Sequence, residues 1–294
     1  MSASVALQDA SPRRLALRRL VADRTSLCCA AIVLIAGLAA LFAPWIAPHD
    51  PGDGDLLRRL QPPAWRADGD WSYPLGCDEL GRDMLSRLIF GARVSLGVGF
   101  GVVLVSSVIG TVLGMIAGFA RGAVDAVVSR VADVLLGFPY LVFAIGLMGM
   151  MGPGLGNIVI TLVLKEWVVA FRVARGETLS AREQDYVEAA RALGCPAWRI
   201  MLGEILPNIL SPVLVVATIR MAHVIIMESS LSFLGLGVQP PAVSWGGMVA
   251  DGCEFLAEGW WVATLPGLAI LLVVLAINLA SQGAREAFDP RLHR

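Results

Sequence analysis

Long runs without a charged residue alternate with short arginine-rich connections along this chain. A helix rises about 1.5 Å per residue, so about 20 apolar residues cross the roughly 30 Å of hydrocarbon in a bilayer. Six segments meet that length: Leu27 to Ala47, Val94 to Ala120, 133–151, 155–172, Ile209 to Leu236 and Gly259 to Leu279. The third and fourth come from one stretch with no charge between Asp133 and Lys165, interrupted by Gly152-Pro153-Gly154, which reads as a tight turn. The pattern predicts an all-α integral membrane protein with six transmembrane helices. Its parts are a tail (1–26), a first helix (27–48), a long connection (49–93), a transmembrane core (94–284) containing a soluble loop (173–208), and a second tail (285–294).

Composition agrees with a lipid environment: of 294 residues 56% are hydrophobic and 16% charged, with a mean hydropathy of +0.71. The single lysine, Lys165, lies inside the apolar run TLVLKEWVVA, so the chain has no P-loop with which to hydrolyse ATP. Cys28, Cys29, Cys77, Cys195 and Cys253 show no metal-binding spacing, and His49, His223 and His293 are far apart. No catalytic residue, metal, cofactor or nucleic-acid partner is expected on this chain. Cys77 and Cys253 both fall on the outer side of the topology below. Two unpaired thiols are expected there, with a disulfide as the alternative.

Arginine positions set the topology, because short loops rich in Lys or Arg stay in the cytoplasm. Arg13, Arg14, Arg18, Arg19 and Arg24 precede the first span; Arg121 and Arg130 follow the second; Arg172, Arg175, Arg182, Arg191 and Arg199 follow the fourth; Arg285, Arg291 and Arg294 follow the last. All fall on one side, which predicts a multi-pass membrane protein with both termini in the cytoplasm. The long 49–93 connection carries arginines yet lies outside, and the rule is weak for long loops. Residues 11–48 also have the arginine-then-apolar pattern of a cleaved signal peptide, but five further spans favour an uncleaved helix.

The longest soluble stretch on the cytoplasmic side runs from Glu177 to Asn208 and reads as two short helices with a sharp corner. Ser180 and Glu183 have the capping-box spacing that opens a helix, Gly194 sits where a helix end wants positive φ, and Pro196 suits the start of the next. Pro207 is expected to end that second helix at the membrane. On its sequence alone this stretch is equally an ordinary hairpin linking two spans.

Glu188-Ala189-Ala190, Gly194 and Ile205-Leu206-Pro207 resemble the EAA signature of ABC-importer permeases. The segments Tyr73 to Asp83 with Gly91 to Ser95, and Glu228 to Pro241 with Ser244-Trp245-Gly246, resemble the C-type subunit of the dipeptide, oligopeptide and nickel branch, and the likeness runs from Ala43 to Arg291. The resemblance implies the type I importer permease fold, in which the EAA segment is a coupling helix that docks on an ATPase subunit. It also implies a B-type second permease, two ATP-binding subunits and an extracytoplasmic solute-binding protein. Transport of di- or oligopeptides is the implied function, with nickel or another small solute as the alternative. An ion-driven transporter or an intramembrane hydrolase using His223 has little support, since no G-x-S-x-G motif is present.

Departures from the family pattern mark further candidates: Glu204, Cys77, and the charged Lys165, Glu166, Arg220 and His223 inside spans. Ionisable groups at mid-membrane cost at least ~2.5 kcal/mol each, so they face a polar path or a partner. Arg220 and His223, three apart, share a helical face. They and Lys165 either line the solute path and meet an anionic group, or form a structural pair such as Glu166 with Arg220. Glu228 is expected to serve helix packing or an outer gate. The glycines Gly97, Gly99, Gly101, Gly110, Gly114 and Gly118 are expected to form a helix-contact face.

Overall fold

The computed structural model describes residues 23–288, so the arginines before Arg24, and Arg291 and Arg294, lie outside the described residues. The helices are α1 (Arg24–Leu41), α2 (Met84–Ala120), α3 (Gly122–Gly137), α4 (Tyr140–Met151), α5 (Leu155–Ala181), α6 (Asp185–Ala192), α7 (Ala197–Phe233), α8 (Trp245–Cys253) and α9 (Trp260–Phe288). Among the described residues the only extended pairing is two isolated bridges, Gly54 with Arg82 and Cys77 with Asp83.

Helix ends follow local chemistry. Asp83 caps α2, its carboxylate accepting from the amides of Leu85 and Ser86. That moves the helix start ten residues ahead of the expected Val94, and its 37 residues reach about 55 Å, well beyond the hydrocarbon. α1 stops at Leu41, and a short turn with Pro44 near its start (Ala43–Ile46) carries the chain on to the outer connection.

The expected count of six spans is not what the helices give. Among the described residues four are long and apolar enough to cross: α1, α2, α7 and the Trp260–Gly283 part of α9. α3 and α4 count as a fifth only if taken as one span, and they bend by 94° at Phe138-Pro139. That break lies inside the expected 133–151 span and leaves α4 at 12 residues, too short to cross alone. α5 has the length, at 27 residues, but Lys165, Glu166, Arg172 and Arg175 lower its apolarity.

α5 lies along α2, and three of the six glycines explain how. A Cβ on Gly110 would fall 2.4 Å from the Trp167 carbonyl oxygen, on Gly114 2.7 Å from that of Phe171, and on Gly118 2.9 Å from the Thr178 Cβ. The i, i+4, i+8 spacing puts all three on one stripe. Gly99 likewise meets Ile225 of α7, whereas Gly97 and Gly101 meet nothing within 4 Å, so the expected contact face is narrower than the glycine run.

Around this contact the buried side chains form separate clusters. The outer one joins α1, α2, α7, α8 and α9 through Ala40, Leu96, Ile225, Trp245 and Trp261; another joins α2, α4, α5 and α7 through Val102, Met148, Leu162 and Leu231. A third sits under the α6 corner. The outward faces stay apolar, as Leu34, Ile35, Phe100 and Leu271 are all exposed, which suits contact with lipid.

Candidate functional site

The loop between α5 and α7 is built differently from its sequence reading at two points. Ser180 lies inside the last turn of α5, so Ser180 and Glu183 do not open a helix; Gln184 stands at the N-cap of α6. Pro207 does not end a helix either. α7 runs through it because a wide π turn, Met201–Ile205, comes directly before, where a proline has no amide to offer and needs room for its ring. The glycine corner holds. Gly194 has φ +78°, its amide and that of Cys195 return to the carbonyls of Arg191 and Ala190, and Pro196 caps the next helix.

This corner projects its functional candidates outward. Glu188, Ala189, Gly194 and Pro207 are exposed and Ala190 is half-buried, with Tyr186, Leu193 and Trp198 exposed beside them. Ile205 is buried and Leu206 partly so; both pack with Val187 and Ile200 and hold the corner to the body instead of facing outward. Two guanidiniums bind it to the end of α2: Arg182 Nη1 donates to the Phe119 carbonyl at 2.6 Å, and Arg191 lies 5.2 Å over the Phe119 ring. Arg121 adds a 2.7 Å ion pair to Glu183.

The charges inside the spans separate into three groups. Glu166, 1% exposed at its side chain, accepts two 2.7 Å hydrogen bonds from Arg220, Nε to Oε2 and Nη2 to Oε1. This forked geometry is the strongest form of the pair. His223 Nδ1 lies 3.1 Å from Glu166 Oε1 and 2.9 Å from Arg220 Nη2, and the Tyr140 ring meets the imidazole edge-on at 5.1 Å. The shared face of Arg220 and His223 is therefore real, and it turns to a carboxylate of this chain.

Lys165 does something the sequence does not indicate. Its ammonium donates to the carbonyl oxygens of Leu135 and Phe138, the latter at 2.7 Å, and does not serve Glu166. Those carbonyls are at the bend between α3 and α4, where the helix ladder is interrupted and acceptors lack amide partners. Consecutive residues on α5 point about 100° apart, so Lys165 reaches the bend while Glu166 reaches α7.

Glu228, also fully buried, stands apart from both. It accepts from Ser232 Oγ at 2.8 Å and Ser95 Oγ at 3.0 Å, and Ser95 Oγ is 3.4 Å from the Trp245 amide nitrogen. One carboxylate thus ties α7 to α2 and α8. Neither serine was singled out in the sequence: Ser232, one turn from Glu228, carries a helical-spacing signal that points to it, whereas Ser95, more than a hundred positions away, carries none. Cys77 is buried and Cys253 exposed, both as free thiols, and burial together with Asp83 and Asp78 pushes the Cys77 thiol up to about 12.

Comparison with known proteins completes the picture. A family described as binding-protein-dependent transport system inner membrane component matches residues 110–294, and the N-terminal TM domain of oligopeptide transport permease C matches residues 11–63. The chain belongs to this family. It is 42% identical over 260 residues to the di/tripeptide transport system permease protein DppC of Pseudomonas aeruginosa, covering 88% of this chain and 86% of that one. To the dipeptide transport system permease protein DppC of Escherichia coli K12 it is 44% identical over 260 residues, covering 88% and 87%. An inward-facing structure of the MetNI methionine ABC transporter shares the fold, with a TM-score of 0.54 at 18% identity, over 68% of this chain and 97% of that one. The protein is therefore a multi-pass inner-membrane permease component of an ABC importer. It is a transport subunit and not an enzyme, and it works with ATPase and other partner subunits.

Proposed function

We propose that this permease carries short peptides inward, with α6 as the helix that receives motion from an ATP-hydrolysing partner. The relatives at 42% and 44% identity are named for dipeptide or di/tripeptide transport, which supports the solute class. The coupling reading rests on one observation: α6 stands out from the body with Glu188 and Ala189 bare, while Val187, Ile205 and Arg182 fix it rigidly to α2 and α7. A projecting element must be both free to dock and stiffly attached if displacement is to be transmitted.

The assembly consists of this chain, a B-type permease, two ATP-binding subunits and an extracytoplasmic solute-binding protein. Both termini lie in the cytoplasm. The ion pairs Arg121 with Glu183, Arg172 with Asp133 and Arg175 with Asp125 support this orientation, since they gather arginines around the end of the molecule that carries α6. Uptake of a labelled dipeptide by cells carrying Glu188→Arg or Gly194→Val tests the assignment. Both variants insert normally and take up peptide several-fold more slowly, because one reverses a docking charge and the other opposes a left-handed φ. Wild-type uptake in both would refute the docking role.

A further inference from the structure

At the end of α2 farthest from α6, a cavity of about 420 Å³ opens between the outer connection, the loop after α7, and α8. Its size is within the ~300–1,000 Å³ of small-molecule sites. Arg82, Arg87 and Asp251 line it together with the apolar Pro240, Val243 and Met248.

Arg87 is the unsatisfied member. It is 5% exposed, and its Nε is buried without a hydrogen-bond acceptor. The carboxylate beside it, Asp78, is already committed: Oδ2 accepts from Arg82 Nε at 2.7 Å, and Oδ1 accepts from the amides of Leu80 and Arg82 at 2.9 Å. Arg87 is left with Asp78 Oδ2 at 3.2 Å and Asp251 Oδ2 at 3.7 Å. Arg82, by contrast, already gives its Nε to Asp78 and its Nη2 to Glu79, each at 2.7 Å. A buried guanidinium in this condition calls for a carboxylate it can grip with two parallel N–H groups.

The charge count adds a second requirement. Arg82 and Arg87 face Asp78, Glu79 and Asp251, so the cluster carries one excess negative charge. A bare anion would be opposed by that excess. A ligand bringing a cationic group to Asp251, whose side chain is half exposed at the rim, would be favoured at both ends. The apolar wall of Pro240, Val243 and Met248 suits short side chains between those ends.

We infer that this outer cavity is a receiving site for a free, zwitterionic short peptide, whose carboxylate is held by Arg87 and whose ammonium meets Asp251. The inference rests on the peptide-importer reading and adds to it a binding site on the permease itself.

The test is equilibrium dialysis of radiolabelled dialanine, dialanine amide and N-acetyl-dialanine against the purified whole transporter, without nucleotide and without the solute-binding protein. Dialanine binds, and each blocked analogue binds about tenfold or more weakly. Arg87→Gln weakens dialanine but not its amide, Asp251→Asn weakens dialanine but not the acetylated form, and Ala250→Phe, which fills the cavity without altering charge, weakens all three. If Arg87→Gln does not assemble, Asp251→Asn and Ala250→Phe carry the decision. Equal affinity for the three ligands, or no dialanine binding up to about 10 mM, overturns the site. So does an Arg87→Gln transporter with unaltered dialanine affinity but weaker capture of the solute-binding protein, which would assign the carboxylate to that protein. Dialanine uptake by cells separates the two readings: transport with no binding here sinks only the site, whereas absence of uptake in the wild type sinks the peptide reading as well.

Discussion

Glu166 and Glu188 are the same side chain in opposite settings. Glu166 is hidden between α5 and α7 under two hydrogen bonds from Arg220, while Glu188 stands on the bare face of α6. A buried carboxylate must be answered within the chain, because losing its partner leaves an uncompensated charge. An exposed one costs the fold almost nothing and is free to act on another protein. In this permease the buried charge, for which a solute path and a structural pair were both open, is answered by Arg220 and His223 of the same chain, and the exposed one is left free for the docking role proposed for α6.

The largest effect should come from breaking the buried pair. Arg220→Gln strips Glu166 of its permanent positive charge and both 2.7 Å hydrogen bonds, leaving only His223 beside it, at a cost on the order of 3–5 kcal/mol, seen as a strongly reduced membrane level. The double variant Glu166→Gln/Arg220→Gln restores most of that level, and a double-mutant cycle on expression and thermal midpoint measures the coupling. If both singles insert normally and only slow uptake, the pair lines the path and the contrast drawn here is lost.

Next in size is the α2–α5 contact. Gly110→Leu pushes a Cβ against the Trp167 carbonyl and destabilises by about 1–3 kcal/mol, whereas Gly101→Leu, with open space around it, is near neutral. Equal thermal midpoints for the two would contradict the close approach. Lys165→Met should cost about 1–3 kcal/mol by stranding the Leu135 and Phe138 carbonyls at the bend. Because Lys165 does not serve Glu166, its effect adds to that of Glu166→Gln instead of cancelling it, which a thermal-shift double-mutant cycle can read.

A smaller effect sharpens the same contrast through the thiols. At pH 8 a maleimide should modify the exposed Cys253 and spare the buried Cys77, whose thiol is held protonated with its pKa pushed up to about 12. Labelling of Cys77 without denaturant would show that the outer connection opens.

The surface half of this contrast was more legible than the buried half. Gly194 announced its corner because only local geometry was involved, and the shared face of Arg220 and His223 followed from helical spacing. Errors arose where distant parts decide. The apolar run after Asp133 gave no sign that Pro139 and Lys165 would organise a 94° bend there, so an unbroken span was expected. Pro207 looked like a stop because a preceding π turn cannot be read from residue types. Ser180 and Glu183 had capping-box spacing, but the α5 helix continued through Ser180 to Ala181. Arg87 lies between the Tyr73 to Asp83 and Gly91 to Ser95 motifs and was not singled out, since its lack of an acceptor depends on Asp78 being taken by Arg82.

The most direct measurement is the ratio of dipeptide transported to ATP hydrolysed in proteoliposomes holding the whole importer with Glu188→Arg, taken with the thermal midpoint of the same preparation. A surface docking charge predicts a several-fold lower ratio with the stability of the permease unchanged to within about 0.5 kcal/mol. A wild-type ratio, or a loss of transport that merely follows a fall in the midpoint, would contradict it.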